Sequence, residues 1–274
     1  MEMIVVTGAT GNVGQPLVRA LAETGESVIA VSRNGVGVPA GVRHHRADLT
    51  RPRTLEPALR GARALFLLPS PDFMANGDIE AVLEVVRAAD VPRVVLLSSH
   101  GVGTGRHPSA LEDAVQRSGL EWTMLRPGNF DSNALRWADM VRTQRTVAAP
   151  FGDVAVPAID PADIAEVAAI VLREPGHQGD IYTLTGPEPI SPRQQAAAIG
   201  AVLGEPVRFV EQSRAEARTQ MLKYMPEPIV EATLGALGTP SAEERAVGPD
   251  AERLLGRRPR TFAEWAARTI TAFK

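Results

Sequence analysis

The 274-residue sequence predicts an α/β fold, a doubly wound parallel sheet with a smaller, mostly helical C-terminal lobe. Three observations predict it. Short strand-like runs alternate with helix-patterned segments through the first half, which is how a parallel sheet reads. The runs at 64–68 and 94–97 are apolar throughout, as strands covered on both faces must be. The first run, 3–6, passes directly into a glycine loop that opens a helix.

The elements follow in order. After strand one, Val13, Leu17, Val18 and Leu21 recur at helical spacing and predict one buried face, closed by Gly25. Pro16 falls in the first turn, where its missing N–H costs little. Residues 28–31 are the second strand and 42–45 a weaker third. A short helix spans 54–59 and the fourth strand 64–68. Ile79, Val82, Leu83 and Val86 mark one face of a helix over 79–89. Strand five is 94–97, a helix over 108–117 ends before Gly119, and strand six is 122–125. Ile164, Val167, Ala168 and Val171 face inward on a helix over 161–172, and 181–184 is a seventh strand. From Gly186 onward proline and glycine are frequent and the segments read as mostly helical. The expected division is a sheet domain of 1–126 and 154–185, and a lobe of 127–153 and 186–274.

Composition excludes several classes of function. The chain has no cysteine, so disulfides, thiolate nucleophiles and Cys-based metal sites are excluded. No His/Asp/Glu spacing resembles a metal site. The formal net charge of -3 argues against a direct nucleic-acid surface, which needs a basic excess. No apolar run approaches the ~20 residues that span a bilayer. The start of the chain has neither a basic leader nor a cleavage site, so the expectation is a cytoplasmic protein with no membrane partner.

Gly8, Gly11 and Gly14 stand three residues apart between the first strand and its helix. This is the pattern of a Rossmann dinucleotide loop. One glycine makes the tight turn, one admits backbone to the pyrophosphate, and one allows close helix–strand packing. The helix N-terminus then offers N–H groups and a positive dipole end to phosphate. Where NAD sites usually place an acid, after strand two, this chain has Ser32, Arg33 and Asn34. Arg33 could pair with a 2′-phosphate and stack on adenine, which predicts NADPH over NADH. Asp48 and Leu49 after strand three either bracket the adenine or, for Asp48, cap the turn that follows.

Several segments together resemble the NmrA-like branch of the atypical short-chain dehydrogenase/reductases. They are 7–14, 65–69, 94–99, Glu112 with 118–130, 159–165, 182–187 and 260–265, and they cover essentially the whole chain. The resemblance implies NAD(P) binding on the first domain and a variable cleft associated with the second. It also implies two kinds of protein, small-molecule reductases and dinucleotide sensors without turnover. The candidate cofactor residues are Thr7, Gly8, Thr10, Gly11, Asn12, Val13 and Gly14 in the loop. Ser32, Arg33, Asp48, Leu49, Leu68, Pro69 and Ser98 complete the set from the ends of later strands.

Ordinary short-chain dehydrogenases pair a proton-donating tyrosine with a lysine four residues later. Here the tyrosines are Tyr182 and Tyr224, neither is followed by lysine at that spacing, and the two lysines are Lys223 and Lys274. The polar groups left near the end of strand five are Ser98, Ser99, His100 and His107. Ser99 and His107 are the candidate catalytic pair, a histidine being the best proton source near neutral pH, unless the serines merely cap the strand end. Candidate substrate residues are Phe73, Met74, His100, Asn129, Phe130, Asn133 and Tyr224, a set that forms either a pocket or core. Two functions are expected from this. One is an NADPH-dependent reductase of a quinone-like or other conjugated aromatic molecule, whose phenolate-type product needs little help from an acid. The other is a non-catalytic NAD(P) sensor acting through a homodimer or a protein partner.

Overall fold

The computed structural model describes residues 3–274. Its strands are β1 (Met3–Thr7), β2 (Ser27–Ser32), β3 (Arg43–Arg46), β4 (Ala62–Leu67), β5 (Arg93–Leu97), β6 (Glu121–Pro127), β7 (Thr146–Ala149), β8 (Ile181–Leu184) and β9 (Arg208–Glu211). Seven of them form one parallel sheet in the order β3-β2-β1-β4-β5-β6-β8. This is the Rossmann order, and the chain reverses direction across the sheet between β1 and β4, where such folds open a ligand crevice. The central strands carry Val5, Leu65, Leu67, Val94 and Leu96 into one core, all fully buried. The edge strand β3, Arg43-His44-His45-Arg46, has no buried residue, and charged side chains on an edge discourage pairing with another chain.

The helix Gly14–Glu23 buries Leu17, Val18 and Leu21, as its spacing requires. Ile164, Val167, Ala168 and Val171 are all fully buried on the helix Pro161–Arg173. The helix Ile79–Ala88 starts at Asp78, whose carboxylate accepts from the Ala81 N–H. Two segments differ from the sequence reading. A one-turn helix, His100–Gly103, occupies what reads as loop, because Ser99 caps it by accepting from the Gly101 N–H. The next helix is Ala110–Arg117, so His107 lies in the bend before it and does not begin it.

By its contacts the chain divides into two units. The first holds the sequence up to Pro127 with Pro161–Leu184 and Arg253–Gly256; the second holds Gly128–Asp160, Thr185–Glu252 and Arg257–Lys274. Residues 154–160, assigned from sequence to the sheet domain, thus fall in the second unit. The second unit is mostly helical but contains a parallel strand pair, β7 with β9, that periodicity did not announce. Its core gathers Trp137, Val141, Val147, Ile199, Phe262, Trp265 and Phe273. Phe262 and Trp265 are oriented by a capping box, Thr261 with Glu264, that opens the helix Phe262–Thr269. The Thr261 N–H and hydroxyl both donate to Glu264, which holds that carboxyl below its ordinary range. Among the described residues no helix is long and apolar enough to cross a membrane.

Candidate functional site

The glycine loop of the first unit has three distinct steric situations. Gly8 has φ +62°, and a Cβ there would press on Leu68 at 3.1 Å. At Gly14 a Cβ would lie 2.1 Å from the Gly8 carbonyl oxygen, so this glycine is required by the fold itself. Gly11 is exposed, donates its N–H to the Gly8 carbonyl at 2.9 Å, and would meet only that oxygen, at 3.3 Å. The protein therefore tolerates bulk at Gly11 far better than at Gly14, and the bare backbone there leaves room for a close ligand. The helix behind it has no side-chain cap and no acidic residue in its first turn. These features fit a dinucleotide pyrophosphate.

Thr7 is buried, and its hydroxyl donates to the Phe66 carbonyl at 3.0 Å and accepts from the Leu68 N–H at 2.8 Å. It ties β1 to β4 and keeps the loop in place. Ser32 is likewise turned inward, to the Asn34 carbonyl and to His44 Nε2 at 2.9 Å. Asp48 takes the capping alternative. It accepts from the Thr50 N–H and hydroxyl at 3.0 and 2.9 Å, and these bonds, with Arg33 and Arg51 nearby, hold its carboxyl below the ordinary range. Arg33 is exposed and pairs with Asp72 at 2.5 Å. Asp72 follows β4 in the helix Pro71–Asn76, so an acid does reach Arg33, from across the sheet, and sequence spacing after β2 could not show it.

Phe73 requires a correction. It is buried in the core, and the chain turns so tightly over it that a Cβ on Gly77 would come within 2.2 Å of its ring. It does not face a ligand, whereas Met74 beside it is exposed.

At the end of β5, Ser99 Oγ lies 3.0 Å from His107 Nδ1. The approach depends on Gly101, where a Cβ would come within 2.5 Å of that nitrogen, and on the Gly101 carbonyl, which accepts from the His107 N–H at 2.9 Å. His107 is exposed and His100 half-buried. Ser99 Oγ also accepts from the Gly101 N–H at 3.1 Å. Ser98 is committed elsewhere. It donates to the buried Glu112, which also takes Arg126 in a two-point pair at 2.9 and 2.5 Å. The bond from Glu112 raises the Arg126 pKa above its ordinary value. Glu112→Ala would leave that guanidinium without its carboxylate. A loss of about 3 kcal/mol is expected in denaturant unfolding, the lower end of the range for broken buried pairs because Arg126 keeps a fifth of its surface in solvent. A change under 1 kcal/mol would show the pair to be dispensable.

Tyr182 is internal. Its hydroxyl donates to Asp180 at 2.7 Å and lies 2.8 Å from His177 Nδ1.

The second unit contains a cavity of about 310 Å³. Asn129, Phe130, Asn133 and Tyr224, the four second-unit candidates, all line it. Arg136, Trp137 and Phe151 line it too and carry no motif that marks them in the sequence. Met221 is a wall of the same cavity.

Comparison with known proteins agrees with this geometry. A family model described as NAD(P)H-binding matches residues 8–175. A Streptomyces griseus protein named (4-alkanoyl-5-oxo-2,5-dihydrofuran-3-yl)methyl phosphate reductase is 37% identical over 99% of both chains. An NAD(P)H azoreductase from Xenophilus azovorans is 34% identical, again over 99% of both. Among solved structures, the NADPH complex of the quinone oxidoreductase QOR2 from Escherichia coli superposes with a TM-score of 0.82 at 25% identity, over 97% of this chain and 99% of that one. The chain belongs to the NAD(P)H-binding family, within the NmrA-like branch of the atypical short-chain dehydrogenase/reductases.

Proposed function

We propose that this protein is an NADPH-dependent reductase of quinone-like or other conjugated small molecules. The observation that carries the reading is the second-unit cavity, which joins four aromatic side chains, Phe130, Trp137, Phe151 and Tyr224, to amide groups suited to a flat, carbonyl-bearing acceptor. The curated relatives support it, since those with assigned names include a reductase, an azoreductase and a quinone oxidoreductase. The glycine loop holds the dinucleotide in this reading, and the bound nicotinamide supplies the hydride. The protein contributes orientation and exclusion of water. His107, held through Nδ1 by Ser99, is the proton donor in this reading. Neither tyrosine is followed four residues later by a lysine that could lower its pKa. That suits acceptors whose reduced oxygen is weakly basic.

NADPH oxidation against matched quinones and simple ketones tests the reading. Tight NADPH binding without turnover of any acceptor would favour the dinucleotide sensor instead.

Cofactor choice gives a second test. NADPH should bind tighter than NADH, and Arg33→Ala should erase most of that preference, about 1.5–3 kcal/mol for a charge-assisted bond. The Arg33–Asp72 pair must open to admit a phosphate. An exposed pair is worth at most ~1 kcal/mol, so Asp72→Asn should tighten NADPH binding by up to about fivefold. Equal dissociation constants for the two coenzymes in the unaltered protein would refute the assignment of Arg33.

A further inference from the structure

Charge in the second-unit cavity is one-sided. Among the described residues Arg136 is the sole charged one lining it, and no aspartate or glutamate does. Five carboxamides, Asn129, Asn133, Gln195, Gln212 and Gln220, also line it. Among the described residues none of these five makes a side-chain hydrogen bond to the protein, so their amide groups are available to a ligand. Arg136 is equally distinctive. Arg142, Arg145, Arg193, Arg218 and Arg268 in the same unit each meet an Asp or Glu. Among the described residues Arg136 meets none; its guanidinium lies over the Trp137 ring at 4.9 Å, and Trp137 is itself buried. Arg136 is an exposed residue, and the protein packed near it pushes its pKa down by desolvation, partly opposed by Tyr224. An arginine nevertheless stays charged in proteins. Water solvates the exposed Arg136, and an anion bound in the cavity would be its first ionic partner among the described residues. With its carbon over the Trp137 ring, the guanidinium has N–H groups for two-point bonds to an oxyanion.

We propose that this cavity selects planar conjugated molecules bearing a carboxylate or phosphate, with Arg136 holding the anion. The proposal rests on the reading of the cavity as the acceptor site. It assigns Arg136 as a specificity residue, with the aromatic walls taking the ring and the carboxamides its polar substituents.

The test is calorimetric titration of the NADP⁺-loaded protein with 2-naphthoate, 2-naphthyl phosphate and the neutral 2-naphthamide. At least one anion should bind tenfold or more tighter than the amide, and which one does identifies the anionic group. Arg136→Met keeps the stem over Trp137 and removes the charge. It should weaken the preferred anion about ten- to a hundredfold while the amide changes less than threefold, which also shows the cavity to be intact. Arg136→Lys should fall between the two, having charge without the planar fork. An amide that binds as well as both anions, a preference that survives Arg136→Met, or no binding of any probe would each overturn the proposal. NADPH oxidation by 1,4-naphthoquinone in the same preparations separates the two readings. Quinone turnover without anion preference leaves the reductase standing and removes this inference. Arg136-dependent anion binding without turnover does the reverse.

Discussion

Gly11→Val is expected to abolish NADPH binding in a protein that remains folded, whereas Gly14→Val is expected to destroy the fold. The two glycines look equivalent in the motif, but their surroundings differ. A Cβ on Gly14 would lie 2.1 Å from the Gly8 carbonyl oxygen, 2.7 Å from its carbon and 2.9 Å from Ala9 Cα. All three are backbone atoms of the same loop, so no rotamer change relieves the overlap. The helix must move away from β1, with a cost of about 4 kcal/mol or more, a large share of the ~5–15 kcal/mol that stabilises a domain. At Gly11 the single close atom is 3.3 Å away and the position is exposed, so valine fits after a shift of a few tenths of an ångström. It would then occupy the space in which the loop backbone meets the pyrophosphate. Fluorescence titration should show at least a hundredfold loss of NADPH affinity, with a thermal melt close to that of the unaltered protein. If Gly11→Val bound NADPH normally, the dinucleotide would have to lie elsewhere.

The second large effect concerns the acceptor. Quinones should be reduced at rates at least a hundredfold above those of simple ketones of similar size. General acid catalysis is typically worth 10²- to 10⁴-fold, and it matters most where hydride transfer leaves a strongly basic alkoxide. A quinone leaves a phenolate-type oxygen that water can protonate. Among the described residues Tyr182 is spent on Asp180 and His177, and neither tyrosine is followed by the lysine that would lower its pKa. His107→Ala and Ser99→Ala should therefore slow quinone reduction only a few-fold. The assay is NADPH consumption, with Gly11→Val as the control for contaminating activity. Brisk ketone reduction would refute the argument, because an acid as effective as the missing tyrosine would have to be present.

The sheet and its loop were legible because their signals are local. A run such as Leu65-Phe66-Leu67 reads as a covered strand within its own few residues, and three glycines between a strand and a helix state their purpose in the same way. The helix Pro161–Arg173 was equally plain, since its period alone predicts which side chains are buried. Pairings between distant segments were not legible. Asp72 reaches Arg33 over a separation of 39 residues, which no spacing rule after β2 contains. Ser98 and Ser99 are neighbours in sequence with the same side chain, yet the alternation of a strand end sends one to the buried Glu112 and the other to His107. Phe73 and Met74 divide similarly between core and surface. The sequence by itself determined the Rossmann sheet, the dinucleotide loop and the absence of a Tyr–Lys pair, because each depends on residue type and short-range period. Only the tertiary structure decided which polar groups are consumed internally and which remain for a ligand. It alone brought Asn129 and Tyr224 to one cavity and, among the described residues, left Arg136 there without a carboxylate, since pairing depends on segments that meet only when the chain has folded.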